Sequence, residues 1–294
     1  MNETKKQIGE DAIYDARELG VPKMLLLGFQ HLFAMFGATV VVPLTTGLPV
    51  SVALFMAGFG TLLFHFITKR KVPAFLGSSF AFLGGYAAVA PLLENGASNT
   101  EMLPYAAGGV VIAGLVYLVF AALIKLFGAN KIMKYFPPVV TGPIIMAIGL
   151  ILAPSAISSC QTNWLLAIIA LVTVIVFNIW GKGMFKIIPI IMGIAISYIV
   201  ALITKAVDFT AVAQAKFIGL PEFFLAKFDI SAIISIVPIA LATMMEHIGD
   251  ISAIGATTEN NYIADPGLHR TLIGDGLATS VSAMFGGPAN TTYG

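Results

Sequence analysis

The sequence predicts an all-α polytopic membrane protein. Of its 294 residues, 58% are apolar and only 11% are charged, and the mean hydropathy is +0.92. Apolar runs of roughly 20 residues recur along the chain, which is the length that crosses a bilayer as a helix. These runs are too long and too uniform for barrel strands, whose side chains alternate in polarity. The net charge of +1 gives no reason to expect a nucleic-acid partner, so the lipid bilayer is the predicted surrounding.

Nine apolar segments follow a polar stretch at residues 1–23, which we predict to be a cytoplasmic tail because it is too hydrophilic for a signal peptide. The segments lie at about 24–43, 51–68, 73–92, 104–124, 137–154, 163–181, 187–204, 230–250 and 271–286, and a tenth begins near Pro288. With the amino terminus inside, thirteen Lys and Arg residues fall on the inner side and three on the outer side. This positive-inside bias predicts a multi-pass plasma-membrane protein with a cytoplasmic amino terminus.

Segments 3 and 10 are predicted to be broken helices. Pro73 and Gly77 weaken the first half of segment 3 as a helix. In segment 10, Pro288 precedes the β-favouring residues 291–293, which predict extended backbone. Non-helical backbone at membrane depth requires protein or a watery cavity around it, and such interruptions in corresponding places often mark a transporter's binding site.

Segment 8 carries the most unusual charges in the chain. Glu246 and Asp250 are spaced i, i+4 and therefore share one helix face, whereas His247 points about 100° away. A centre-placed charge costs about 2.5–3.5 kcal/mol on insertion scales. We interpret the pair as a site for a polar ligand or a proton; the alternative is a polar pair satisfied against another helix.

The two halves of the chain match weakly. Gln30-His31 in segment 1 corresponds to Glu246-His247 in segment 8, and Ser78 corresponds to Asn290. The number of residues that separates the members of each pair is nearly the same. Two landmarks at one spacing predict a repeat of seven segments. Because seven is odd, the second copy must be inverted in the membrane.

Six stretches resemble the nucleobase–cation symporter-2 family, also called nucleobase–ascorbate transporters, and among its members they are most similar to bacterial uracil permeases. The stretches are Gln30-His-Leu-Phe-Ala-Met-Phe-Gly-Ala-Thr39, Leu76-Gly-Ser-Ser-Phe-Ala-Phe82, Glu246-His-Ile-Gly-Asp250, Asp265-Pro-Gly-Leu-His-Arg270, Gly274-Asp-Gly276 and Asn290-Thr-Thr-Tyr-Gly294.

This resemblance implies fourteen segments in two inverted seven-segment repeats, with a core domain from segments 1–4 and 8–11 and a gate domain from the others. Here residues 24–136 and 230–294 would belong to the core, and 137–229 to the gate. In the family, a glutamate that contacts the base usually follows the last of these stretches. We therefore expect the chain to be a piece of a longer protein.

The resemblance also implies a binding site for a nucleobase, with uracil favoured. Glu246 would accept a hydrogen bond from a ring N–H, and Phe80 would donate its backbone N–H and flank the ring. Ala38 would leave room for the base, and Tyr293 and Gly294 would form the other wall. Without the family, Phe80 is equally well read as a lipid or core contact.

Proton coupling is the expected energy source, because a carboxylate in a low-dielectric site can take up a proton near neutral pH. Uracil permeases of the family often have histidine where this chain has Asp250, whereas xanthine and uric acid permeases often have aspartate. His31 would tune the site or hold the core together, or it is a packing histidine. Asp275, close in sequence to Arg270 and hence to the cytoplasmic interface, is expected to be structural or gating.

Two other classes remain open. An anion transporter of the same architecture would require a basic residue near the broken helices, and the sequence has none at 75–85 or 286–294. A membrane-embedded metalloenzyme could use His247 and Asp250, but no second histidine or cysteine cluster joins them. We therefore predict a transporter rather than an enzyme, with no metal and no cofactor. The choice between uracil and a purine, the coupling stoichiometry and the oligomeric state, with a homodimer as one alternative, stay open.

Overall fold

A computed structural model describes residues 19–134, 138–214 and 219–293 of the chain. Most of the predicted tail at 1–23 lies outside these residues. The helices are α1 Val21–Thr46, α2 Val50–Ile67, α3 Leu83–Val89, α4 Leu103–Phe127, α5 Ala129–Met133, α6 Pro138–Gln161, α7 Trp164–Trp180, α8 Met184–Ile187, α9 Pro189–Ile203, α10 Thr210–Gln214, α11 Ile230–Ile236, α12 Ile239–Thr257 and α13 Leu268–Met284, with a π-helical turn at Ile263–Gly267. Two strands, β1 Phe75–Ser78 and β2 Asn290–Tyr293, complete the fold.

Helices of membrane-spanning character occur at four of the nine predicted apolar segments, within the described residues. In the described residues, four spans are long and apolar enough to cross a bilayer: Val21–Thr46, Val50–Ile67, Leu103–Phe127 and Ile230–Thr257. Trp164–Trp180 and Pro189–Ile203 are shorter apolar helices. Large apolar side chains such as Phe66 and Leu126 are more than three-quarters exposed, which is costly in water and normal in lipid.

Contacts between residues divide the chain into two compact units. One contains the described parts of Met1–Gly37 and Leu152–Gly219, and the other contains those of Ala38–Ile151 and Leu220–Gly294. In the first unit α7 packs on α9. Gly193 permits this close approach, because an added Cβ would lie 2.6 Å from Cγ2 of Val174.

The second unit is built around α13, which lies between α2 and α4. Glycines on two sides of α13 permit its close approach to both neighbouring helices. A Cβ at Gly274 would lie 2.8 Å from the ring of Phe64 in α2, and a Cβ at Gly276 would lie 2.7 Å from the carbonyl oxygen of Gly114 in α4. The residue between these glycines, Asp275, is therefore buried completely.

The two broken segments meet as a short antiparallel sheet. Phe75 pairs with Tyr293 and Ser78 with Asn290. The extended backbone predicted at 291–293 is thus confirmed, and the weak helical half of segment 3 is a strand followed by the short helix α3. Thr61 of α2 fixes β1 from the side, because its hydroxyl oxygen lies 3.0 Å from the backbone nitrogen of Leu76, which donates to it. The edge of β1 is therefore held by a helix and by β2.

Segment 8 differs from the single helix expected at 230–250. It consists of α11 and α12, which are separated at Val237 and Pro238. Proline has no N–H for the helical ladder and its ring crowds the preceding turn, so the interruption falls where Pro238 enters. Asp229 caps α11 by accepting from the backbone nitrogens of Ser231 and Ala232 at 2.9 and 3.2 Å.

Candidate functional site

Two carboxylates of α12 face the sheet. Glu246 and Asp250 lie one turn apart and are both half-buried. Oε2 of Glu246 is a buried atom that has no hydrogen-bond partner among the described residues. A buried carboxylate oxygen without a partner is costly, so this oxygen is an unfilled acceptor inside the fold.

Strand β2 packs against α12 and brings a hydroxyl to these carboxylates. Oγ1 of Thr292 lies 3.2 Å from Nδ1 of His247 and 3.5 Å from Oδ2 of Asp250. The second distance is at the outer limit of a hydrogen bond, so the contact with His247 is the stronger one. Thr292 thus connects the half-buried carboxylate to the buried histidine.

His247 and Asp275 form a completely buried pair beneath the carboxylates. Nδ1 of His247 lies 3.1 Å from Oδ2 of Asp275, and both side chains are 0% exposed. Nε2 of His247 and both carboxylate oxygens of Asp275 have no hydrogen-bond partner within the described part of the chain, so the 3.1 Å approach is a close contact without hydrogen-bond geometry. The pair joins α12 to α13 at the point where β2 also makes contact. Asp275 is thus buried within this cluster, and its expected structural or gating role stays a prediction.

One aromatic side chain of the site comes from the end of β2 and another from the residue pair that follows β1. The hydroxyl of Tyr293 donates to the carbonyl oxygen of Ser78 at 2.7 Å, which holds the tyrosine across the sheet. Phe80 follows β1, is partly exposed, and accepts from the backbone nitrogen of Leu83 at 3.0 Å as α3 begins. Among the described residues, the N–H of Phe80 makes no hydrogen bond. Within the described ranges, a backbone N–H after β1 and a carboxylate oxygen on α12 therefore both lack a hydrogen-bond partner.

Asn290 anchors β2 to the helices behind it. Its side-chain Nδ2 donates to the carbonyl oxygen of Ala278 at 3.2 Å, and its backbone carbonyl accepts from the hydroxyl of Thr279 at 2.9 Å. Gly60 of α2 leaves the room that this side chain occupies, since a Cβ there would lie 2.6 Å from Nδ2. The position of β2, and with it Thr292, thus depends on a glycine in α2.

Three of the predicted residues, Ala38, Gly294 and His31, are not part of this described cluster. Gly294 and the side chain of Ala38 lie outside what the structure describes, although the backbone of Ala38 belongs to α1. His31 lies in the first half of α1, within the other contact unit, and its side chain is exposed. Its expected role stays a prediction.

Sequence reasoning did not assign a role to Thr292 and left His247 only as a candidate metal ligand. The sequence does indicate a buried polar contact for His247, because a histidine inside an apolar helix needs a polar partner. Thr292 had none, because a threonine in an extended run is ordinary. Within the described residues, no three His, Cys, Asp or Glu side chains are grouped as a metal site would need.

The fold belongs to a class known from solved membrane transporters. The transmembrane domain of a cyanobacterium bicarbonate transporter, BicA, superposes with a TM-score of 0.51 at 16% identity and covers 90% of this chain and 74% of that chain. The structure of SLC26A9 gives a TM-score of 0.57 at 14% identity, with 92% of this chain and 48% of that chain covered. At these identities the likeness concerns the fold alone.

The family follows from the sequence matches. A family model described as "Permease family" matches residues 22–294. A probable uracil permease of Pasteurella multocida is 43% identical, and the match covers 92% of this chain and 65% of that protein. A uracil permease of Bacillus caldolyticus is 41% identical, and the match covers 93% of this chain and 65% of that protein. The uracil permease of Escherichia coli K12 is 36% identical, and the match covers 91% of this chain and 63% of that protein. The chain belongs to this permease family, the nucleobase–cation symporter-2 family that its motifs resemble. It spans about 65% of the length of the curated relatives it matches.

Proposed function

We propose that the protein is a proton-coupled nucleobase transporter of the cell membrane, with uracil as its substrate. The observation that carries this proposal is the free carboxylate oxygen of Glu246 on α12, beside the sheet that joins the two broken segments. The family membership and the names of the relatives, which are uracil permeases, support the choice of substrate.

Uracil presents N–H donors and carbonyl acceptors along one edge. In the proposed complex, Glu246 accepts from a ring N–H and the backbone N–H of Phe80 donates to a ring carbonyl. A hydrogen bond to a charged group contributes about 1.5–3 kcal/mol. The partly exposed rings of Phe80 and Tyr293 hold the plane of the base, as aromatic pairs do in offset or edge-on contact. Ala38 and Gly294 complete the walls.

Proton coupling is assigned to the two carboxylates of α12. Glu246 and Asp250 are half-buried one turn apart, so their negative charges repel each other and a shared proton relieves the repulsion. Binding of the base to Glu246 would then change how firmly the proton is held. The contact of Thr292 with Asp250 supports a link between this pair and the buried His247–Asp275 pair.

The larger architecture that goes with this function is the inverted repeat of seven segments, with core and gate domains and the amino terminus in the cytoplasm. The pairing of β1 with β2 supports it, because the two segments predicted to correspond in the two halves are the two that are extended. His31 remains a candidate for tuning the site, and a homodimer remains an open assembly.

A second candidate substrate is xanthine or another oxopurine of the same class of base. The observation that favours it is Asp250, since the motif resemblance associates aspartate at this position with purine permeases. An anion as substrate is less well supported, although the fold neighbours include a bicarbonate transporter, because no Lys or Arg occurs at 75–85 or 286–293.

The two substrate classes are separated by a competition experiment. Full-length protein is placed in proteoliposomes with an inward proton gradient, and uptake of labelled uracil is measured with unlabelled uracil, xanthine or bicarbonate outside. Competition by uracil alone supports the first assignment, and stronger competition by xanthine supports the second. Uptake of labelled uracil that neither unlabelled uracil nor xanthine reduces would contradict a nucleobase site.

A further inference from the structure

A cleft of about 590 Å³ opens at one end of the second unit, away from the carboxylates. It lies between the end of α4, the short helix α5 and the turn that leads into α13. Its lining includes Lys125, Lys131 and His269, and none of the described residues that line it is an aspartate or glutamate. The cleft is therefore concave and basic.

The basic side chains that line the cleft come from three separate elements. Lys125 belongs to the last turn of α4, Lys131 to the last turn of α5 and His269 to the first turn of α13. Burial, together with the neighbouring charges of Arg270 and Lys125, lowers the pKa of His269, so its ring is neutral near pH 7 and the positive charge of the cleft comes from the two lysines. The amino-terminal end of α13 also faces this region, and the helix dipole places partial positive charge there. Lys125 and Lys131 belong to different helices and line one cleft, where an anion between them would relieve the repulsion of their ammonium groups.

The wall on the α4 side is apolar and open. Phe127 lines the cleft and is 57% exposed, and its neighbour Leu126 is 77% exposed. In a membrane protein such side chains contact acyl chains. The cleft thus combines a basic interior with an adjoining lipid-facing surface, and this combination fits an amphipathic anion better than a free one.

We propose that this cleft binds the headgroup of an anionic phospholipid. The phosphate lies between Lys125 and Lys131, and an acyl chain runs along Leu126 and Phe127. Basic clefts at the ends of transmembrane helices recognise anionic headgroups in this way, with about 1 kcal/mol from each Lys or Arg near the surface. The lipid joins α4 to the start of α13, the helix that carries Asp275.

The test compares a cleft variant with a variant of equal charge loss. Full-length protein in phosphatidylcholine nanodiscs is titrated with phosphatidylglycerol, and bound lipid is counted by native mass spectrometry. The variant Lys125→Gln/Lys131→Gln is expected to lose about tenfold or more in apparent affinity for phosphatidylglycerol. The control Lys69→Gln/Arg70→Gln removes two exposed cations outside the cleft and is expected to bind as the unchanged protein does.

Three results would overturn the proposal. Equal losses in both variants would assign binding to general surface charge, and undiminished binding in the cleft variant would place the lipid elsewhere. Displacement of phosphatidylglycerol by sn-glycerol 3-phosphate at similar concentration would identify a site for a free phosphate anion instead of a lipid. Retained affinity in the control, lost affinity in the cleft variant and no displacement support the proposal.

Discussion

Nδ1 of His247 lies 3.1 Å from Oδ2 of Asp275, and neither side chain is exposed. The pair connects α12, which carries the site carboxylates, to α13, which is enclosed by α2 and α4. The arrangement predicts that the two residues are coupled in stability, because removing one member leaves the other buried without its partner.

For this pair we expect His247→Asn and Asp275→Asn each to destabilise the protein by about 3–5 kcal/mol. The double variant should cost clearly less than the sum of the two, since neither original side chain is left buried without the other. Unfolding of the detergent-solubilised protein, followed for all four forms, gives the coupling energy by a double-mutant cycle. Strictly additive losses would mean that the contact has no energetic role.

A second prediction concerns the glycine behind β2. In Gly60→Ala, the new Cβ would approach Nδ2 of Asn290 to 2.6 Å and Cβ of Ala278 to 3.2 Å, so the anchor of β2 must shift. We expect weaker substrate binding, by about tenfold, and a lowered melting temperature. Gly58→Ala is the matched control in the same helix, because nothing lies within 4 Å of its Cβ position. Similar binding in the two variants would show that β2 tolerates the displacement.

Sequence reasoning was effective where a local pattern decides the structure. Proline and β-favouring residues around Thr291 predicted extended backbone, and the i, i+4 spacing placed Glu246 and Asp250 on one face of α12. It did not extend to contacts between residues that are far apart in sequence. The sequence locates Asp275 only by its closeness to Arg270 along the chain. Its burial depends on how Gly274 and Gly276 pack against α2 and α4. Contacts of that kind are set by helix packing, which no short pattern records.

Thr292 is predicted to link the protonation of the carboxylates on α12 to the buried His247–Asp275 pair. Its Oγ1 lies 3.2 Å from Nδ1 of His247. Thr292→Val keeps the shape but removes the hydroxyl, so it should alter the pH dependence of uptake while β2 stays in place. Thr292→Ser retains the hydroxyl and should restore the original profile. Uptake measured against pH in proteoliposomes decides this, and identical profiles for Val and Ser would refute the role.

Asp250 is predicted to couple transport to protons. Asp250→Asn removes the charge that repels Glu246, so the pair no longer exchanges a proton with the substrate cycle. Uracil exchange should continue, but accumulation against a gradient should be lost or its pH dependence should flatten. Asp250→His should restore coupling with a shifted optimum, because histidine also titrates in this range. If both variants only lower the amount of protein and leave the pH profile unaltered, Asp250 merely braces the helix.

The central claim is that Glu246 accepts a hydrogen bond from the base, and calorimetric titration of full-length protein with uracil tests it most directly. Glu246→Gln keeps the size of the side chain but replaces an acceptor by an amide that also donates. Glu222→Gln, at an exposed loop position, is the control with the same chemical change. We predict that the dissociation constant rises at least about tenfold, or about 1.4 kcal/mol, in Glu246→Gln and not in Glu222→Gln. An unchanged dissociation constant in Glu246→Gln would contradict the account and move the site away from α12.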